Sequence, residues 1–444
     1  MRDGLVTGAS RPVRHVLVET LENRTLMSAG TLDLSYGPGG RQTFNLNPHD
    51  RPDSVIHLGR RGFLIVGATG SFQDASPVNG FMLKYNADGS LDSHFGDGGK
   101  VLVATALTLG DLLFKATAAP GGKILLLEQN GPLQLLMRFT ARGALDTNFG
   151  KGGIADLSAD DKFDAIAAGA DGKVVLGAAD RAHPTPYPPL PVIVPVSVPG
   201  EFTPDLAMSP PPTSDFLVTR LRSDGTVDLT FGNGGSVETD FGYRDDVSQI
   251  VVRDDGKVVA SGTWSTGVDG SYHPAIVRYN RDGKLDRSFG SGGKISSGSV
   301  AGGQAVFTSD GGFLLAGAGA IARYTHRGQL DAHFGTKGQT TLDSAFQDGS
   351  LIDRRPDGSI MLVTLQPTVQ ATGSTEAVIR LHSNGRVDKS FGIAGIAMIH
   401  ALPEEGILTG TIAVQGRTYF VQGVADIVNG KQDNDIRITA VKSR

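Results

Sequence analysis

The chain has no cysteine, one tryptophan and no marked excess of either charge. Without cysteine there is no disulfide, no thiol nucleophile and no cysteine-type zinc site, while either redox compartment stays open. Lysine and arginine number 41 against 46 acids, a net charge of -5. That balance excludes the electrostatic footprint of a nucleic-acid or anionic-membrane binder. No apolar run reaches the roughly 18 residues that a spanning helix needs. No helical periodicity competes with the short alternating runs described below. The first thirty residues lack the apolar stretch of a standard secretory signal.

What is there is glycine, 61 residues of it, and it recurs in one phrase. GTLDLSYGPGG, GSLDSHFGDGG, GALDTNFGKGG, GTVDLTFGNGG, GKLDRSFGSGG, GQLDAHFGTKG and GRVDKSFGIAG carry Asp33, Asp92, Asp146, Asp228, Asp286, Asp331 and Asp388. The spacings are 59, 54, 82, 58, 45 and 57 residues. A unit near that length, repeated seven times, argues for one repeat architecture rather than several independent domains. Each unit holds four strand-like runs. In the fourth interval they are Ser236–Phe241, Gln249–Asp254, Lys257–Gly262 and Ala275–Asn280, with the Asp255-Gly256 and Asp282-Gly283 turns between and after them. Seven four-stranded units predict an all-β, seven-bladed β-propeller with antiparallel blades.

The phrase itself reads as a corner. Gly283 permits a positive φ, Leu285 and Phe289 supply core, and Asp286 is spaced to accept backbone amides in an Asx turn. The motif residues Asp92, Phe95, Asp146, Phe149, Asp228, Phe231, Asp286, Phe289, Asp331, Phe334, Asp388 and Phe391 are therefore structural rather than catalytic. Phe81–Val103 (FMLKYNADGSLDSHFGDGGKVLV) and Ala275–Ile295 resemble the delta-60 repeat family and its NHL-like relatives. The resemblance covers residues 31–444 and implies the propeller fold and little about activity. Lys337 and the pair Ile393-Ala394 depart from its glycines. Ahead of the repeats, Leu21 to Gly30 (LENRTLMSAG), preceded by Arg11 and Arg14, resembles the bacterial LEPR-x-LL motif, with Asn23 for its proline and Met27 for its leucine. That likeness implies a secreted or surface-displayed bacterial protein with residues 1–30 as a disordered, targeting-like tail.

Small side chains should line the crowded channel, so Ala165–Ala170, Gln304–Ser309 and Gly410–Gln415 are expected as inner strands. Lys173–Ala178 and Phe313–Ala318 follow as second strands, and runs such as Lys100–Thr105 form the outer edge. The chain then opens with a spare outer strand, Arg41–Asn47, and ends on a third strand, Asp435–Lys442. Their pairing would close the ring and cover two exposed edges. Residues 181–214 interrupt one blade between its second and third strands and hold half of the chain's 22 prolines. Such a segment reads as an extended surface loop, or as an arm that contacts a partner.

The usual catalytic phrases are missing. There is no H-E-x-x-H and no G-x-S-x-G, and Gly98–Lys100 and Gly292–Lys294 are followed by Val101 and Ile295 where a phosphate loop needs Ser or Thr. His94 and His333 share one turn position, and Asp433 and Asp435 match half a calcium loop at most. One constellation remains. The connection from outer to inner strand carries acid in most units: Asp50 and Asp53, Asp111, Asp160, Asp161 and Asp164, Asp245 and Asp246, Asp348, Glu404 and Glu405. Asp53, Asp111, Asp164, Asp246, Asp348 and Glu405 are the candidate binding residues at the channel mouth. They could hold a divalent cation such as calcium, a cationic ligand or sugar hydroxyls, or they simply cap turns. No cofactor is otherwise expected. The expectation is a monomeric, non-enzymatic scaffold for a protein or carbohydrate ligand, with no nucleic acid and no membrane span. The alternative is a metal-dependent hydrolase or lyase that uses the mouth carboxylates.

Overall fold

The computed structural model describes residues 33–442 apart from 48, 71–77, 105–111, 131–132, 158–160, 181–213, 243, 266–271, 297–299, 301–303, 309, 318, 343–347, 356, 368–373, 400–404, 415–416 and 429–430. The expected tail at 1–30, the proline-rich segment 181–213 and Asp111 lie outside the described residues.

Seven antiparallel sheets of four strands each account for the strands of the described residues. Blade 1 is β2 (Arg51–His57), β3 (Phe63–Thr69), β4 (Asn79–Tyr85) and β5 (Lys100–Ala104). Blade 2 is β6 (Leu112–Ala119), β7 (Lys123–Asn130), β8 (Leu133–Phe139) and β9 (Ile154–Ala155). Blade 3 is β10 (Phe163–Ala168), β11 (Val174–Asp180), β12 (Asp215–Leu221) and β13 (Ser236–Thr239). Blade 4 is β14 (Arg244–Val252), β15 (Val258–Ser265), β16 (Tyr272–Tyr279) and β17 (Lys294–Ile295). Blade 5 is β18 (Gln304–Phe307), β19 (Phe313–Gly317), β20 (Ala320–Tyr324) and β21 (Gln339–Thr341). Blade 6 is β22 (Asp348–Arg354), β23 (Ile360–Pro367), β24 (Ser374–Leu381) and β25 (Ile396–Ile399). Blade 7 is β26 (Glu405–Val414), β27 (Arg417–Val428) and β28 (Lys431–Lys442), completed by β1 (Arg41–Phe44) from the start of the chain.

The first strand of each blade touches the first strand of the next, from β2 through β6, β10, β14, β18, β22 and β26 and back to β2. These are the inner strands, and the ring they form is closed. Closure comes from β1 lying antiparallel on β28, with Arg41 opposite Thr439 and Phe44 opposite Ile436. β28 is then paired on both sides and no longer presents the unpaired edge that invites association with another chain.

The hydrophobic cores lie between blades, not within them. Phe63 and Ile65 pack with Tyr419, Ile436 and Ile438 of blade 7, while Leu64 and Val66 of the same strand pack with Phe114, Ile124 and Leu126 of blade 2. Successive side chains of a strand point to opposite faces, so a strand buried on both faces must be apolar throughout. That is why β3 reads FLIVGAT and every one of its residues is buried. The same division gives one core at each junction around the ring.

The inner strand of blade 5 begins at Gln304 as expected, whereas those of blades 3, 4 and 7 begin earlier than the sequence pattern implies. β14 opens at Arg244 where a strand from Gln249 is expected, and β10 opens at Phe163 rather than Ala165. Arg244 to Asp246 and Asp164 are polar and look like loop, yet these openings continue the ladder to the second strand across a β-bulge, between Val247 and Gln249 in blade 4 and between Phe163 and Ala165 in blade 3. As a result Asp53, Asp164, Asp246, Asp348 and Glu405 stand in strands β2, β10, β14, β22 and β26 rather than in the connections. Among the described residues no helix is long and apolar enough to cross a membrane.

Candidate functional site

The repeated phrase builds a latch between blades. In blade 4, Oδ1 of Asp286 accepts the backbone N–H of Ser288 at 3.1 Å and its hydroxyl at 2.6 Å. Oδ2 accepts from Arg278 Nε and Lys257 Nζ, each at 2.7 Å. The Arg278 guanidinium lies 4.5 Å above the ring of the buried Phe289 and donates through Nη1 to the His326 carbonyl of blade 5. The Gly290 amide adds a second bond to blade 5 at Arg327 O, 2.8 Å. Gly283 is obligatory here: its φ is +85°, and a Cβ would sit 2.6 Å from the Gly232 nitrogen of the preceding blade.

The same parts recur as Lys84–Asp92–Phe95, Arg138–Asp146–Phe149, Arg220–Asp228–Phe231, Arg323–Asp331–Phe334 and Arg380–Asp388–Phe391. Each cation precedes its aspartate by eight residues. Hydrogen bonding holds the carboxyls of Asp92, Asp146, Asp228, Asp286 and Asp388 below their usual range. For Asp146 the bond from Lys123 contributes most, opposed by burial and supported by Asn148 and Arg138. For Asp388, burial is outweighed by bonds from Ser390 and Arg380, and the value is about 2. In blade 7 the aspartate is Asp33, supplied by the start of the chain, and Ala440 stands where the other blades carry the cation. Arg417, from the second strand, replaces it: its Nε donates to Asp33 Oδ2 at 2.5 Å and its Nη1 to the Asp88 carbonyl of blade 1 at 2.7 Å.

The acids of the inner strands have separate partners. The Asp53 carboxylate accepts from Arg51 Nε at 2.8 Å and from the Phe114 amide of blade 2 at 3.0 Å, with burial raising its pKa. Oδ1 of Asp164 accepts from Gln129 Nε2 at 3.0 Å, and Lys115 donates to its carbonyl. Asp246 is half-exposed beside Arg244, at 3.5 Å. The backbone places Asp348 and Glu405 at the opening residues of β22 and β26. Asp53, Asp164 and Asp246 stand on three different blades and form no common group.

Three other carboxylates do converge. Asp215 opens β12, Asp240 follows β13, and Asp245 is the second residue of β14. Each offers an oxygen, and these oxygens lie within 4.8 Å of one another, the one such group among the described residues. Asp245 is fully buried. Its Oδ2 accepts the Phe241 amide at 2.6 Å, while Oδ1 has no hydrogen-bond partner. Burial raises its pKa to about 7, Asp215 and Asp240 add to the rise, and Lys294 opposes it. Sequence order hides this group, because Asp215 and Asp245 are separated by a whole strand, a motif and a crossover.

The sequence profile of a family described as "Domain of unknown function (DUF5122) beta-propeller" matches residues 63–95 and 253–289. Both stretches end on the latch phenylalanine, Phe95 or Phe289. The chain is a repeat-built β-propeller. No curated protein matches it. Among solved structures the propeller is similar to an acylaminoacyl peptidase of Pyrococcus horikoshii, at 10% identity and a TM-score of 0.43 over 87% of this chain and 50% of that one. It is also similar to prolyl oligopeptidase B of Galerina marginata, at 10% identity and a TM-score of 0.45 over 89% and 52% of the two chains. A third likeness is to the PQQ-bound aldose sugar dehydrogenase of Streptomyces coelicolor, at 12% identity and a TM-score of 0.32 over 89% and 100%. The propeller spans about half the length of the two peptidases.

Proposed function

We propose that this propeller is a non-enzymatic scaffold, secreted or displayed on a bacterial surface, that binds a protein or carbohydrate ligand. The observation that carries the reading is where the strongest chemistry of the repeats goes. The aspartates, their cations and the phenylalanines beneath them are engaged in joining blades, and Asp53 and Asp164 are bonded to neighbouring strands. What the blades do not need is the proline-rich segment between the paired residues Asp180 and Asp215. A long insertion on a rigid frame is the usual place for recognition. The likeness of Leu21 to Gly30 to the LEPR-x-LL motif supports export, and the delta-60 likeness supports grouping the chain with repeat-built scaffolds.

The test compares the full chain with one lacking residues 182–212 on a glycan array and in a polysaccharide-cleavage panel supplied with divalent metals. The expected result is glycan binding by the full chain, loss of that binding in the shortened chain at an unchanged melting temperature, and no cleavage by either. Cleavage that disappears when Asp53, Asp164 and Asp246 are replaced by asparagine overturns the reading in favour of a metal-dependent hydrolase or lyase. For export, a tagged chain should reach the surface or medium only when residues 1–30 are present.

A further inference from the structure

We propose that Asp215, Asp240 and Asp245 form a calcium site at the junction of blades 3 and 4, at the root of the proline-rich insertion. Blade 1 supplies an internal comparison. Asp50 occupies the place of Asp245: its amide donates to the Asn434 carbonyl as the Asp245 amide donates to the Ser214 carbonyl, and each accepts the amide four residues back, from Leu46 or Phe241. By the same correspondence Asp435 matches Asp215. At the blade 1 junction the buried Oδ1 of Asp50 is satisfied by the Thr69 hydroxyl at 2.5 Å.

Two changes distinguish blade 4. Trp264, opposite Asp245 in the ladder, stands where Thr69 stands in blade 1, so the hydroxyl is gone. Asp240 stands where blade 1 has Asn45, so a third carboxylate arrives. One junction has lost a donor and gained a negative charge, and it is left with a fully buried carboxylate oxygen that nothing donates to. A buried charge is strongly disfavoured unless it is paired or coordinates a metal.

Lys294 does not supply that partner. Its ammonium donates to the Asp240 carbonyl at 2.6 Å and lies 5.1 Å from the Phe241 ring centroid, and it makes no ion pair with the three carboxylates. A calcium ion does supply it. Calcium accepts six to eight oxygens at about 2.3–2.6 Å in adaptable geometry. Carboxylate oxygens spread over at most 4.8 Å match two such bonds end to end. The group has no histidine or cysteine, which disfavours zinc and copper. Asp240 is exposed and opens the site to solvent, and the remaining positions are left to water.

The chain's one tryptophan provides the readout. Trp264 lies against Gly242, where a Cβ would approach its ring to 2.5 Å, and its Nε1 donates to the Ser296 carbonyl at 2.9 Å. Terbium, a calcium surrogate, bound beside Asp245 is therefore within range of energy transfer from this single indole. The experiment takes the full chain stripped with EDTA, adds terbium chloride, excites the tryptophan, and then competes with calcium chloride. The expected result is sensitised terbium emission that calcium displaces. Calcium alone should raise the melting temperature by about 3 °C at roughly 100-fold excess over Kd. Asp240→Asn, an exposed position whose change leaves the fold intact, should abolish both signals. Asp246→Asn, one residue from the site and outside it, should leave both. No emission from the wild-type chain, or emission that survives in Asp240→Asn, overturns the proposal.

Discussion

At the latch of blade 6, Arg380 is the one cation among the described residues that donates to Oδ2 of Asp388, because Ser359 stands where blade 4 has Lys257. Removing one partner of a buried pair strands the other charge, at about 3–5 kcal/mol. Arg380→Ala should lose that much in chemical denaturation, whereas Arg278→Ala should lose clearly less, since Lys257 still holds Asp286 at 2.7 Å. Equal losses would mean that the lysine contributes nothing. Two positions are improvable. Lys337 and Ala394 have φ of +54° and +55° at the point in the phrase where other copies place glycine. A side chain there costs roughly 1–2 kcal/mol, partly offset by the entropy that glycine loses on folding. Ala394→Gly should therefore stabilise by about 1 kcal/mol, read as a rise in the denaturation midpoint. The carboxylates also set opposite arms of the pH profile. Asp388, held at about 2 against an ordinary 3.8, gives stability that is present above about pH 4 and lost as pH falls through 2. Asp50 is pushed up to about 6 by burial, with bonds from the Leu46 and Asn47 amides and the Thr69 hydroxyl opposing and Asp435 reinforcing. Its folded value lies above its unfolded one, so the cost of ionising it is absent below about pH 4 and complete above pH 6. Asp50→Asn should shrink the fall in melting temperature between pH 5 and pH 8. An unchanged fall would assign that slope to other groups, such as Glu128, which burial raises to about 7.

At the scale of strands and turns, what could be read in advance was what local chemistry encodes. Asp-Gly turns, the glycine corners and short β-branched runs gave four strands per unit, and their order from channel to rim follows from the small residues of runs such as Ala165–Ala168. The openings of the inner strands were not legible. Arg244, Asp245 and Asp246 are polar and read as loop, but a bulge at Ser248 keeps them on the ladder with Thr263, Trp264 and Ser265. The cations of the latches left a readable trace, since a lysine or arginine stands eight residues before each motif aspartate from Asp92 to Asp388. Their second role, reaching a carbonyl of the next blade, depends on contacts 48 to 85 residues apart, which no local pattern reveals. The cluster at Asp215, Asp240 and Asp245 is the extreme case. One residue opens a third strand, one follows an outer strand and one stands at the start of the next blade, and only the closed junction brings them together.

The whole ring depends on its first few residues. Residues 33–44 give blade 7 its outer strand, its motif aspartate and the ring of Tyr36, which packs edge-on against Tyr419 at 5.3 Å between centroids. Arg417 then carries the junction to blade 1 through Asp88. Deleting residues 1–47 removes all of this at once. It leaves the edge of β28 unpaired, Arg417 without Asp33, and the aromatic core of Phe63, Tyr85 and Tyr419 open on one side. Cores between blades have no independent existence, so loss at one junction is felt by both neighbours around a closed ring. The expected outcome is a chain that elutes as aggregates in size-exclusion chromatography and lacks a cooperative melt. Deleting residues 1–30 leaves every one of these contacts in place and should preserve the wild-type melting temperature. If the longer deletion stayed monomeric and melted like the full chain, β1 would be an accessory strand and the inner strands alone would hold the ring shut.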